Sequence, residues 1–190
     1  EIDKDELTQT VKAVRDAMNK VVPGPMAVMK WIELEVAKAL KTKKHLEWTT
    51  PSGFKVHQEI MNYDGEHQER IRLHLLGNCA LRLNKLTDDP NIDRHKAATA
   101  PNLIHSLDAS LLHIATMRFK HPIALIHDSV LCRATDMSIL STLVRETYMH
   151  LFAQHDYLTD FATQIGAETK PPIIGDLEPS NVLKSTYFFC

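Results

Sequence analysis

Three cysteines in 190 residues, at positions 79, 132 and 190, are too few and too scattered for a disulfide framework or a thiolate zinc site. A reducing compartment suits them. No apolar run approaches the roughly 20 residues of a membrane-spanning helix, and no basic-then-apolar leader opens the chain. The formal net charge is -2, so bulk electrostatics does not advertise nucleic-acid binding, and any such contact must come from local basic patches. Internal repeats and low-complexity tracts are missing, as are the H-E-x-x-H, G-x-S-x-G, P-loop and dinucleotide fingerprints. These absences remove the commonest enzyme classes. They predict a protein of the cell interior with one domain or two subdomains, and Glu1 in place of methionine predicts a piece of a longer polypeptide.

What is present is mostly helical periodicity. Leu7, Val11, Val14 and Met18 recur at helical spacing up to Pro23-Gly24-Pro25, which cannot continue a helix. A second helix is expected from about Met26, with Met29, Ile32, Val36 and Leu40 as its apolar stripe. The lysines at 38, 41, 43 and 44 load its end, where they suit the helix dipole or would face phosphate. Leu46 to Thr50 and Phe54 to Ile60 flank Pro51-Ser52-Gly53 and read as a hairpin. Asn62 to Gln68 reads as a polar connector and Thr87 to Thr99 as a charged loop, after which Pro101 opens a helix with Ile104, Leu107, Leu111 and Ile114 buried. Helices led by Leu140, Val144, Tyr148 and Leu151, and by Leu158, Phe161 and Ile165 up to Gly166, follow. Lys170 to Pro179 reads as a loop, and the apolar end Tyr187-Phe188-Phe189-Cys190 is expected to tuck into the protein. Helices with at least two hairpins make the class α+β.

Between Thr50 and Thr99, Arg70 to Leu75 alternates strictly, and Leu81 to Asn84 alternates again. A three-residue loop at 77 to 79 would place His74 opposite Arg82 and Arg72 opposite Asn84, giving one basic face and one leucine face. Such a ribbon is either a solvated amphipathic hairpin or a reading face for a DNA major groove.

The chemistry concentrates in Pro122 to Ser129, Pro-Ile-Ala-Leu-Ile-His-Asp-Ser, which reads as a buried strand ending in polar groups. Val130 to Arg133 would return as the second arm, leaving His127-Asp128-Ser129 at the tip. A hydrolase triad is excluded in extended backbone, where His127 and Ser129 point one way and Asp128 the other. A metal role for Asp128 fits better, because Mg2+ is usually held by one or two carboxylates plus phosphates and water. A two-metal site wants more carboxylate than Asp128 alone. Asp108, on a ridge with Asn102 and His105, is a candidate second ligand or the anchor of an arginine or loop; a carboxylate upstream of residue 1 is the alternative.

Several segments together carry a family resemblance: Glu47 to Phe54 (EWTTPSGF), Ala100 to Asp108 (APNLIHSLD), Ile126 to Ser129 (IHDS) and Leu183 to Phe189 (LKSTYFF). In order and separation over nearly the whole chain they resemble the C-terminal part of the single-subunit DNA-directed RNA polymerases of T-odd-like bacteriophages and mitochondria. The resemblance implies a right-hand polymerase's C-terminal palm and part of its fingers. Residues 1-100 would form a fingers-like part with a specificity-type hairpin at 69-86, and residues 101-190 the palm part with the motif C hairpin at 122-133. It implies that Asp128 binds two catalytic Mg2+ ions with a second carboxylate upstream of this chain, and that His127 supports the primer end. His105 would reach the minor groove of the RNA-DNA hybrid. Arg70, Arg72, Arg82 and Asn84 would read promoter bases in the major groove, where arginine suits guanine and asparagine adenine. Ser129 favours the RNA polymerase branch over related DNA polymerases, which usually carry His-Asp-Glu there. The upstream palm motif and the nucleotide-binding fingers helix find no match, so the chain alone is expected to be inactive. Implied partners are template and promoter DNA, the transcript, nucleoside triphosphates and the N-terminal remainder of the polymerase, with no membrane. The implied location is the cytoplasm of a phage-infected cell, with the mitochondrial matrix as the alternative. An independent nucleic-acid-binding module without catalysis is the non-enzyme reading, and the small net charge counts against it.

Overall fold

The computed structural model describes residues 4–73, 79–173 and 175–188, with side chains from 66 to 83 outside that set. Among the described residues the chain is α+β, with five α-helices and three separate two-stranded antiparallel sheets. Helix α1 (Lys4–Val21) leads into α2 (Pro23–Ala39). Proline sits at the first helical position of α2, where its missing N-H costs nothing, so this helix starts before the expected Met26. Ile32, Val36 and Leu40 are buried as their spacing predicts, whereas Met29 faces solvent. The stripe of α1 is exposed throughout, from Leu7 at 52% to Met18 at 42%, and no residue of that helix is buried.

Strands β1 (Leu46–Thr49) and β2 (Lys55–Gln58) form the expected hairpin, with Gly53 supplying positive φ at the turn. Leu46 and Trp48 of β1 point inward, where Trp48 meets Phe161 edge-on with ring centroids 5.6 Å apart. Strand β3 (Met61–Leu73) takes in the stretch expected to be a connector, and β4 (Cys79–Pro90) takes in part of the expected charged loop. Their register also differs from expectation. Arg70 pairs with Arg82, Gln68 with Asn84 and Arg72 with Ala80, and Leu73 with Cys79 closes the ladder across residues 74–78. Cys79, expected in the loop, lies in β4. The shift is even, so odd positions still pair with odd and even with even, and the alternation that predicted two faces survives. His74 lies outside the described residues.

Helix α3 (Ile92–Arg118) overrides two expectations together. It begins in the supposed loop, where the Asn91 side chain accepts from the Arg94 amide at 2.9 Å, and it runs through Pro101 instead of starting there. Proline forfeits one backbone hydrogen bond at that point. Burial of His95, Thr99, Ala100 and Leu103 around it holds the helix together. The inward face consequently matches the expected Ile104, Leu107, Leu111, Ile114 stripe only in part: Leu107, Leu111 and Ile114 are half-buried, with Leu111 against the second apolar cluster. Ile104 is 53% exposed, while Thr99, Leu103, Ser110 and Ala115 are buried. Small hydroxyl residues let the β1–β2 hairpin approach closely: Trp48 Nε1 donates to Ser106 Oγ at 3.3 Å, and Ser52 Oγ lies 3.3 Å from Ser110 Oγ.

Strands β5 (Ile123–Ile126) and β6 (Ser129–Cys132) pair from Ile123–Cys132 to Ile126–Ser129. A 3-10 turn, Ala134–Asp136, precedes α4 (Met137–Gln154), and α5 (Tyr157–Ile165) ends at Gly166 with φ 75. Phe188 of the tail packs on Tyr148, with ring centroids 5.2 Å apart, while Tyr187 is exposed. Phe189 and Cys190 lie outside the described residues.

Two apolar clusters hold these elements. One joins Trp31, Ile32 and Val36 of α2, Leu46 and Trp48 of β1, Leu103 of α3, and Phe161 and Ile165 of α5. The other joins Ala115, Phe119, Leu140 and Val144 to Ile123, Val130 and Cys132 on one face of the β5–β6 hairpin. A buried carboxylate ties the first cluster shut. Glu35 accepts from Lys38 Nζ at 2.8 Å, Thr169 Oγ1 at 2.7 Å and the Glu168 amide at 2.6 Å. Burial would raise its pKa, but those three donors and the Lys38 charge outweigh it and bring the group to about 2.

Candidate active-site hairpin

The β5–β6 hairpin owes its shape to the two residues that cannot stay in the ladder. Ile126 pairs with Ser129, so the tip is His127-Asp128 alone and Ser129 is already in β6. His127 adopts φ 54, the only positive φ at a non-glycine residue among those described. Two-residue hairpins turn with positive φ at the first loop position, a place glycine usually takes. Histidine there stores of order 1–3 kcal/mol of backbone strain. The turn, not extended backbone, fixes the relative directions of His127, Asp128 and Ser129.

Contrary to the sequence reading, the strand delivering Asp128 is not buried. Ile123 is partly covered, but Leu125 is 38% and Ile126 59% exposed, and Leu131 on the return arm is 57% exposed. Each face of a two-stranded ribbon needs a cover, and here one face, with Ile123, Val130 and Cys132, packs against α3 and α4, while Ile126 and Leu131 lie on the uncovered face, and the arm runs on through its open end into Arg133. That end is also pinned electrostatically. Asp136 accepts from Arg133 Nε at 2.8 Å and lies 3.7 Å from His121 Nδ1. Burial pushes its carboxyl up, and the Arg133 hydrogen bond and charge pull it further down. Asp128, at the free end, is exposed and makes no ion pair or side-chain hydrogen bond among the described residues.

The other candidate residues sit on different elements. His105 is exposed on α3 and, with Asn102, Ser106 and His113, lines a hollow of about 310 Å³ against Thr50, Ser52 and Phe54. Asp108 is exposed on the same helix. Asn84 is exposed on β4, while the side chains of Arg70, Arg72 and Arg82 are outside the described set. Among the described residues no group of three potential ligands includes Asp128 or Asp108.

The sequence reading missed the buried polar network that sets α3 against the β2–β3 junction. His95 Nε2 accepts from the Ile60 amide at 3.1 Å, and the Gln58 side-chain amide lies 3.0 Å from His95 Nδ1. Gln58 Nε2 donates to Thr99 Oγ1 at 2.9 Å, and Asn102 Nδ2 donates to Gln58 Oε1 at 2.7 Å. Burial pushes the His95 pKa down, keeping the ring neutral and able to accept. Each bond contributes about 1 kcal/mol net, and an unpaired member would cost more. The signal was legible, since His95, Thr99, Asn102, Ser106 and Ser110 recur at intervals of three or four. Reading 87 to 99 as a loop concealed it.

The described residues are thus a mixed α+β arrangement in which a hairpin tip with positive φ at His127 exposes the Asp128 carboxylate. Comparison with known proteins gives the family. The sequence model of DNA-dependent RNA polymerase matches residues 4–173, and the chain belongs to that family. It is 32% identical over 181 residues to the DNA-directed RNA polymerase of Pseudomonas phage phiKMV, covering 93% of this chain and 22% of that protein. It is 33% identical to that of Enterobacteria phage T3, covering 94% and 23%. It is 30% identical to DNA-directed RNA polymerase 2, chloroplastic/mitochondrial, of Arabidopsis thaliana, covering 94% and 18%. The chain thus spans about a fifth of the length of these relatives.

Proposed function

We propose that this chain is the C-terminal part of a single-subunit polymerase that joins ribonucleoside triphosphates on a DNA template, with Asp128 as one of its metal-binding carboxylates. The observation that carries this reading is the Asp128 carboxylate, exposed and without an ion pair or side-chain hydrogen bond among the described residues, on a turn that holds His127 at φ 54, within a chain of this family. A structural aspartate in such a turn would be expected to cap or pair; one that binds ions must keep its oxygens available. Asp128 offers one ligand, so Mg2+ would be shared with a carboxylate from elsewhere in the polymerase. Bound there, the ions would supply charge neutralisation at the phosphates and activation of the attacking hydroxyl. His127, next to it on the tip, would steady the 3′ end of the transcript.

The remaining assignments follow the same reading. His105 would face the RNA-DNA hybrid across the hollow it lines, and the β3–β4 hairpin would carry Arg70, Arg72, Arg82 and Asn84 to promoter bases. Residues 1-100 would belong to the fingers side and 101-190 to the palm. Exposed Leu125, Ile126 and Leu131, and the stripe of α1, would be covered by the rest of the polymerase. The working location would be the interior of a phage-infected cell. No helix among the described residues is long and apolar enough to cross a membrane.

The deciding experiment places Asp128→Asn in the full-length polymerase. Ribonucleotide incorporation on a primed template falls by at least a thousandfold while promoter binding stays within about twofold. Retained elongation overturns the metal role. Efficient incorporation of deoxyribonucleotides by the parent enzyme, with ribonucleotides rejected, overturns the choice of product.

A further inference from the structure

A second group of ligating side chains lies on the β1–β2 hairpin, away from the Asp128 tip. Antiparallel pairing sets Glu47 directly opposite His57. Alternation along the chain puts His45 on the same face as Glu47, and Glu59 on the same face as His57. The opposite face carries Leu46 and Trp48 into the core. The four outward residues therefore form a block whose position is dictated by register.

The side chains close on one another. His57 Nδ1 lies 2.9 Å and His45 Nε2 3.3 Å from Glu47 Oε1, and one ligand atom from each of the three lies within 4.8 Å of the others. The two imidazole centroids are 4.3 Å apart. Donors bound tetrahedrally at 2.0–2.1 Å from a zinc-sized ion stand about 3.3 Å from each other. The observed separations approach that spacing before any ion is added. A second feature is one that ligating histidines usually have. His57 Nε2, the nitrogen turned away from the cluster, is 3.4 Å from Glu59 Oε2. Carboxylates placed on the far nitrogen of a ligating histidine fix its tautomer and ring orientation. The side chains are between 40% and 65% exposed, leaving room for water as a fourth ligand.

We propose that His45, Glu47 and His57 bind one first-row divalent cation of the zinc type, with Glu59 as the positioning carboxylate of His57. Two imidazoles and one carboxylate suit Zn2+ far better than Mg2+, which prefers an all-oxygen octahedron. The ion ties the residue ahead of β1 to both strands, and thereby steadies the hairpin that packs Trp48 against Phe161 and Ser106. The proposal is independent of the polymerase reading, since it rests on this hairpin alone.

The test is a titration of the full-length polymerase that carries this hairpin with Zn2+ by calorimetry and with Co2+ by visible absorption, each variant read against the unsubstituted protein. Expected is one saturable equivalent with an intense tetrahedral-type Co2+ band. His57→Ala and His45→Ala each weaken it at least tenfold, Glu59→Gln weakens it about tenfold, and His150→Ala leaves it unchanged. Mg2+ should not compete at a hundredfold excess. All four substituted positions are exposed or partly so, and each variant's metal-free melting curve is recorded alongside. X-ray absorption on the unsubstituted polymerase with one equivalent of Zn2+ supplies a readout that needs no variant, two imidazoles in the coordination sphere. No saturable site, a sphere without imidazoles, or affinity unmoved by His57→Ala overturns the proposal.

Discussion

Glu35→Gln is the substitution whose outcome the structure constrains most tightly. Glu35 is 1% exposed and spends both oxygens, Oε1 on Lys38 and Thr169 and Oε2 on the Glu168 amide. Glutamine has one oxygen, so either orientation turns an N-H group toward a donor and removes the charge facing Lys38. A fall in pKa from 4.5 to about 2 corresponds to roughly 3 kcal/mol favouring the ionised form in the fold. Lys38 is about one-third exposed, so solvent screens part of this, and a loss of ~2 kcal/mol is expected. For a chain of this size that lowers the melting temperature by about 4–8 °C at pH 7. The sign with pH is fixed. Because the folded pKa lies below the unfolded value, the stabilisation is complete above about pH 4.5 and disappears as pH falls toward 2. Urea unfolding of both chains between pH 7 and pH 2.5 should show a gap that closes in that window. A gap under ~0.5 kcal/mol at neutral pH, or one that persists undiminished at pH 2.5, would refute the account of Glu35.

Two further outcomes bear on the hairpins. His127→Gly removes the strain at φ 54 and should slow amide exchange in β5 and β6, by up to ~1 kcal/mol in opening free energy, while lowering nucleotide incorporation in the full polymerase. Unchanged exchange would mean that the tip is not strained. Arg72→Ala in the full polymerase should reduce promoter-specific initiation about tenfold or more and leave elongation on a primed scaffold within about twofold; equal losses in both assays would make the residue structural.

The candidate site was easier to find in the sequence than the surfaces around it. His127-Asp128 could be placed at a hairpin tip because an apolar run that breaks on polar residues and resumes is a local pattern, and β5–β6 pairs as that pattern requires. Whether the strand is covered is not local. Ile126 carries the same side chain at 59% exposure as it would in a core, so apolarity suggested a burial that the described residues do not provide. The basic ribbon kept its alternation but changed its partners, because Arg70, Arg72, Arg82 and Asn84 satisfy the face rule in any even register.

The sequence by itself determined the helices α2, α4 and α5, the three hairpins and the position of Asp128, since periodicity, proline, glycine and turn chemistry act over a few residues. Only the tertiary structure decided that α3 runs unbroken through Pro101 with its hydroxyl-bearing face inward, that Glu35 is a buried ionised lock, and that His45, Glu47, His57 and Glu59 converge. Those outcomes depend on partners up to 134 residues apart. Free energy from packing and from satisfying buried polar groups outweighs local preference there, and local sequence does not name the partner that supplies it.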